Sequence, residues 1–170
     1  MVAFDPLQTP PLRANLAEMG SADYFLPKDA DDADLSAWSS ITPAFVRVIG
    51  TSLFGDAFIV DERGTIHMLE RAAQSVQQIA SSEEEFWRQV DEDAEGWLLR
   101  PVADECRRAG KQLGEGQCYA FTTLPVLGGK YEVDNIWVAH WKEWFSVTAD
   151  LFQQIKDLPD GTVVTLKVVD

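Results

Sequence analysis

The chain has two histidines and two cysteines with which to bind a soft metal or attack a substrate. His67 and His140 stand far apart. Neither has a second ligand four residues on, nor an H-E-x-x-H or C-x-x-C neighbour, the spacings that bring two donors onto one metal ion. Cys106 falls on the apolar face of a helical pattern, where a thiol is inert. With Cys118 it is too little for a disulfide framework, so both are expected to be reduced, buried, small apolar groups. No G-x-S-x-G elbow presents a serine nucleophile. Leu127-Gly128-Gly129-Lys130 lacks the G-x-x-x-x-G-K-[ST] spacing of a phosphate loop, and its glycines instead suit a tight turn. No residue is therefore assigned to catalysis, to a cofactor or to a metal, and the chain is expected not to be an enzyme.

Carboxylates are abundant: 28 acidic side chains face 14 basic ones, a formal net charge of −14. Glycosidase-type chemistry needs two carboxyl groups at a set separation in a cleft, and runs of acids do not specify that. Glu83-Glu84-Glu85 suits the first turn of a helix, where the macrodipole favours negative charge. Asp91 to Glu95 is too polar to bury. A field of this sign repels nucleic acid and anionic membranes, and it steers basic partners inward. Asp29, Asp31, Asp32, Asp34, Glu83, Glu84, Asp91, Glu92, Asp93 and Glu95 are accordingly the candidate contacts for a basic protein partner. The competing reading is that the charge serves solubility alone. Residues 1–35 carry seven acids and two bases and residues 36–95 eleven and four, so the excess lies mainly before residue 96.

A chain of 170 residues suits one domain with a single core. The periodicities predict an α+β fold. It has a mainly antiparallel sheet, with a β-hairpin within about 45–69, packed by three helices at about 83–92, 98–109 and 141–157. Phe45 to Ile49 is β-branched and apolar. Ala57 to Val60 and Thr65 to Leu69 flank the turn Asp61-Glu62-Arg63-Gly64. Ser75 to Ala80 is a further short strand. Ser82 and Glu85 match a capping box, with Phe86, Trp87 and Val90 directed inward. Pro101 and Gly110 suit the start and end of the second helix. Gln117 to Thr122 is a strand; Tyr131 to Val133 and Ile136 to Val138 are short extended pieces. Trp144, Thr148, Leu151, Ile155 and Leu158 form the stripe of the last helix, flanked by Phe145 and Phe152. Of the crowded Trp137, Trp141 and Trp144, most belong to the core, with one available as an interface anchor. Thr162 to Val169 alternates as a final strand.

Residues 41–170 are expected to form the domain. Residues 1–40, with a short helix at Leu12 to Met19, are expected to wrap it as an extension or be partly mobile. The N-terminus has neither the basic start nor the apolar stretch of a secretory signal, and no apolar run approaches the ~20 residues that span a bilayer. A cytoplasmic location is expected.

Two strings carry a family resemblance: Leu127-Gly128-Gly129-Lys130-Tyr131-Glu132-Val133-Asp134-Asn135-Ile136, and Gln154-Ile155-Lys156-Asp157-Leu158-Pro159-Asp160-Gly161. Together they resemble the C-terminal domain of type VI secretion DNase immunity proteins, which often accompanies a GAD-like domain. Upstream, Phe54-Gly55-Asp56-Ala57-Phe58, Asp61, Gly64, Ile79-Ala80-Ser81-Ser82 and Phe86 are similar to the usual lead-in. They are also similar to the wider Smi1/Knr4-like immunity superfamily. The resemblance spans roughly residues 44–168. It implies a cytoplasmic protein that binds a cognate secreted toxin, a basic nuclease, and blocks its active site or its DNA-binding surface. The shared strings are expected to be structural, with the toxin contacts in the acidic loops. A non-catalytic scaffold or regulatory module of the same fold is the alternative.

Overall fold

The computed structural model describes residues 19–93 and 95–165. The expected helix at Leu12 to Met19, except Met19, lies outside them. Four strands, β1 (Phe45–Thr51), β2 (Ala57–Asp61), β3 (Ile66–Glu70) and β4 (Ser75–Ala80), form an antiparallel meander in chain order. Strands β5 (Gln117–Phe121) and β6 (Ile136–His140) pair as a second antiparallel sheet. Helices α1 (Glu83–Glu92), α2 (Arg100–Arg108) and α3 (Trp141–Ile155) complete the α+β architecture expected from the sequence.

Local chemistry sets each boundary. Asp61 accepts hydrogen bonds from the backbone N–H of Arg63 and Thr65, both at 2.9 Å. With Gly64 at φ 81° these close the β2–β3 hairpin. At the start of α1 the Ser82 hydroxyl accepts from the Glu85 N–H at 3.2 Å, while the Glu85 carboxylate reaches back to Ser81 rather than to Ser82. That cap sits one residue earlier than the usual capping box.

Strand β2 is apolar without alternation because both of its faces are covered. Phe58 and Val60 enter the main core with Phe86, Tyr119 and Trp144, while Ala57 and Ile59 meet Leu35, Trp38 and Phe152 on the other side. Residues 19–40 belong to this packing: Tyr24, Leu26, Ala30, Leu35 and Trp38 are buried, and Trp38 stacks on Phe152 of α3 at 4.5 Å. Helix α3 buries Trp141, Trp144, Phe145, Thr148, Leu151 and Phe152, so the expected stripe is inside as far as Leu151, with its flanking phenylalanines; Ile155 is only partly buried, and Leu158 lies beyond the helix end, exposed.

Two expectations fail. Thr162 to Thr165 forms no strand; Val163 is 91% exposed, so its alternation marks no buried face. The remaining residues of that expected strand, 166–169, lie outside the described ones. Tyr131 to Val133 is not extended either, because the chain closes instead into a 3-10 turn at Val133–Asn135. Asn135 holds that turn. Its Oδ1 accepts from the Thr123 N–H at 2.9 Å, and its Nδ2 donates to the carbonyls of Thr123 at 2.8 Å and Lys130 at 2.9 Å. Gly129 lies against the same backbone, where a Cβ would stand 1.8 Å from the Thr123 oxygen. The glycine-rich string thus builds a knot rather than a binding loop. Gly129→Ala is expected to cost about 1–3 kcal/mol in urea unfolding, the range for overpacking a closed site.

Candidate interaction surface

The candidate acids on and after α1 fall on its solvent side. Phe86 and Val90 are buried, while Glu84, Trp87, Arg88, Asp91 and Glu92 are exposed. Spacings of three and four place Glu84, Trp87 and Asp91 along one stripe. Several neighbours are neutralised within the chain. Glu83 pairs with Arg47 of β1, Glu92 with Arg88 at 3.1 Å, and Asp93 with Arg100 at 3.5 Å. Arg100 also donates to the Val90 carbonyl, and so supplies a cation at the end of α1. Glu84 meets no hydrogen-bond or charge partner among the described residues, and Asp91 meets only the Ser21 hydroxyl, at 2.5 Å. Glu95 is exposed.

Trp87 departs from the sequence expectation. It is 37% exposed, off the line of Phe86 and Val90 by one helical step. Its ring is held edge-on to Phe86 at 4.9 Å and tilted against Phe25 at 5.6 Å. Phe25 comes from the segment that also brings Ser21 to Asp91. Of the three clustered tryptophans, Trp141 and Trp144 are buried and Trp137 is 49% exposed on β6.

The other acidic cluster divides by use. Asp34 accepts from the Ser36 N–H at 2.8 Å and the Ser36 hydroxyl at 2.9 Å, which fixes the 3-10 turn Ser36–Trp38 and hold its carboxyl below the usual range. Asp31 accepts from the buried Thr51 hydroxyl at 2.7 Å, and burial raises its pKa despite that bond. Asp31 therefore ties the N-terminal segment to β1, whereas Asp34 fixes a turn within that segment. Asp29 and Asp32 are exposed, and Asp29 borders an open cleft of about 440 Å³ with Glu115, His140 and Glu143.

One polar cluster was not singled out from the sequence. Asp56 is buried, and its Oδ2 accepts from the Ser52 hydroxyl at 3.2 Å. Burial pushes its pKa up to about 7; Glu70 adds to the rise, while Ser52 and Arg71 oppose it. Arg71 is 1% exposed, donates from Nε to the Gly55 carbonyl at 2.6 Å and lies 4.0 Å over the Phe145 ring. Burial lowers its pKa to about 10, so it remains cationic at neutral pH. These groups lock the 52–56 loop to α3. Cys118 is also buried, which raises its thiol to about 12. Among the described residues no group of three His, Cys, Asp or Glu side chains is placed to hold a metal ion, and no helix is long and apolar enough to cross a membrane.

Residues 80–152 match the family model described as the type VI secretion system immunity protein Tdi1, C-terminal. That stretch takes in α1, α2, β5, β6 and most of α3; of the two strings that carry the resemblance it contains the glycine-rich one, while Gln154 to Gly161 lies beyond it. It is shorter than the span the resemblance suggested and leaves most of the four-stranded sheet outside. No curated protein matches the sequence. Among solved structures, the crystal structure of Atu4351 from Agrobacterium tumefaciens aligns at 17% identity with a TM-score of 0.48. The alignment covers 74% of this chain and 65% of that one, so the chain spans less than two thirds of that protein's length.

Proposed function

We propose that this chain is a cytoplasmic immunity protein that binds a cognate type VI toxin, a basic nuclease, and covers its active site or DNA-binding surface. The observation that carries the reading is the match to the immunity family over residues 80–152, a stretch whose first helix turns an acidic face to solvent. A nuclease must hold phosphates with basic side chains. An inhibitor of net charge −14 is steered to that surface and competes with DNA for it. The chain acts by occlusion and supplies no catalytic group.

Co-expression with the toxin domain encoded beside this chain tests the reading. Cells are expected to survive only when both are made, and purified chain is expected to abolish DNA cleavage at one equivalent. Association is expected to slow by about tenfold or more as salt rises from low to physiological strength. A toxin that is harmless alone, or one that still cleaves DNA with excess chain present, overturns the proposal.

A further inference from the structure

We infer that Trp87, between Glu84 and Asp91, is the receptor for one arginine side chain of the bound toxin; this rests on the function proposed above. The indole is exposed yet fixed. Phe86 and Phe25 both pack against it, so little side-chain freedom remains to be lost on binding. Tryptophan is one of the residue types enriched at interface hot spots. A guanidinium lies flat on an indole and keeps its N–H groups free in the ring plane for carboxylates, which a lysine ammonium does not do. Glu84 three residues before Trp87 and Asp91 four residues after it supply those carboxylates on the same face.

A second feature singles out Asp91. It lies in the last turn of α1, where the helix macrodipole disfavours an anion, and that turn contains no base. Glu92 and Asp93 share this location, but Arg88 and Arg100 compensate them. Among the described residues Asp91 has only the Ser21 hydroxyl. No cation of the described residues compensates its charge, and a partner's cation can do so. Arg88, on the same face, is paired with Glu92 at 3.1 Å.

The test compares wild type, Trp87→Ala, Trp87→Phe and Asp91→Asn for binding to the catalytically inactivated toxin domain, with thermal unfolding of each free protein. Trp87→Ala is expected to weaken Kd by about 30-fold, and Trp87→Phe to recover most of that loss. Asp91→Asn keeps the acceptor for Ser21. It is expected to leave Tm unchanged or raised while weakening Kd by about tenfold, a combination that a merely structural role does not produce. Labelling the toxin with an arginine-selective dicarbonyl, read by mass spectrometry, is expected to show one arginine shielded by wild type and exposed in the Trp87→Ala complex. Binding within threefold of wild type for both Trp87→Ala and Asp91→Asn overturns the inference and leaves the immunity role intact, as does a complex in which no arginine is shielded. If wild type itself fails to bind the toxin, both fall together.

Discussion

Replacing Trp144 with alanine is expected to lower the stability of the domain by about 3–5 kcal/mol, the cost of emptying a large aromatic site that cannot collapse. The indole is 4% exposed in the main core. Its Nε1 donates to the Phe54 carbonyl at 3.3 Å, which ties α3 to the loop between β1 and β2. The loop cannot settle inward to fill the space. Gly55 already lies flat on α3 at φ +89°, where a Cβ would come within 2.7 Å of the Phe145 ring and 3.4 Å of Trp144 itself. The deletion therefore leaves a cavity and an unmatched carbonyl together. Trp144→Phe separates the two effects. It keeps most of the apolar volume and loses the N–H, so its expected cost is smaller, about 1–3 kcal/mol. Urea unfolding of both variants gives the comparison. A loss below about 1 kcal/mol for the alanine variant contradicts the buried placement.

What the sequence revealed was what its local chemistry decides. The β2–β3 hairpin follows from Asp61 and Gly64, which close their turn without distant help. Ser82 announces α1, and the alternation of Phe86 and Val90 names its buried face. Partnerships across the chain were not legible. Asp31 looks like any solvated acid until Thr51, twenty residues on, shows what it holds in place. Trp87 was expected to point inward because a tryptophan beside Phe86 adds to the apolar count. One helical step of about 100° carries it instead to the side of Glu84 and Asp91. The aromatic partner that braces it, Phe25, comes from a segment with no helical or strand period. The glycine-rich string was legible as a turn, but its tight fit was not: Gly129 meets Thr123 only because Asn135 draws the two strands of backbone together. The candidate surface and the family strings thus occupy different residues. The glycine-rich string builds scaffold, Gln154 to Gly161 is exposed apart from the partly buried Ile155, and the candidate acids of α1 lie on its solvent side.

Asp56 lies within one of those strings, and its burial gives the protein an unusual dependence on pH. Its carboxyl ionises near pH 3.8 in the unfolded chain and at about 7 in the folded one. The folded state therefore holds the proton more tightly, and it is the neutral carboxyl that the fold favours. The stability from this group is fully present below about pH 4, is lost as pH rises to about 7, and is constant above that. A one-unit difference in pKa is worth about 1.4 kcal/mol, which puts the ceiling for the whole span at about 4 kcal/mol. Asp61, Asp34 and Glu85, whose pKa values are lowered, act in the opposite sense but at more acid pH. Asp56→Asn retains an acceptor for the Ser52 hydroxyl and cannot ionise. The variant is expected to match wild type at pH 4 and to exceed it by roughly 2–4 kcal/mol at pH 8. The difference between the two unfolding curves, taken at each pH, removes the general repulsion of a chain at net charge −14 and isolates this one site. Curves that stay parallel from pH 4 to pH 8 contradict a neutral buried Asp56. Burial sets the size of the effect, and Arg71 limits it. As a cation over Phe145 it attracts the ionised carboxylate and holds the folded pKa down, so Arg71→Met is expected to push the fall in stability to higher pH and deepen it. A loop outside the candidate acidic surface thereby contributes a fall in stability between about pH 4 and pH 7 to the fold that presents that surface.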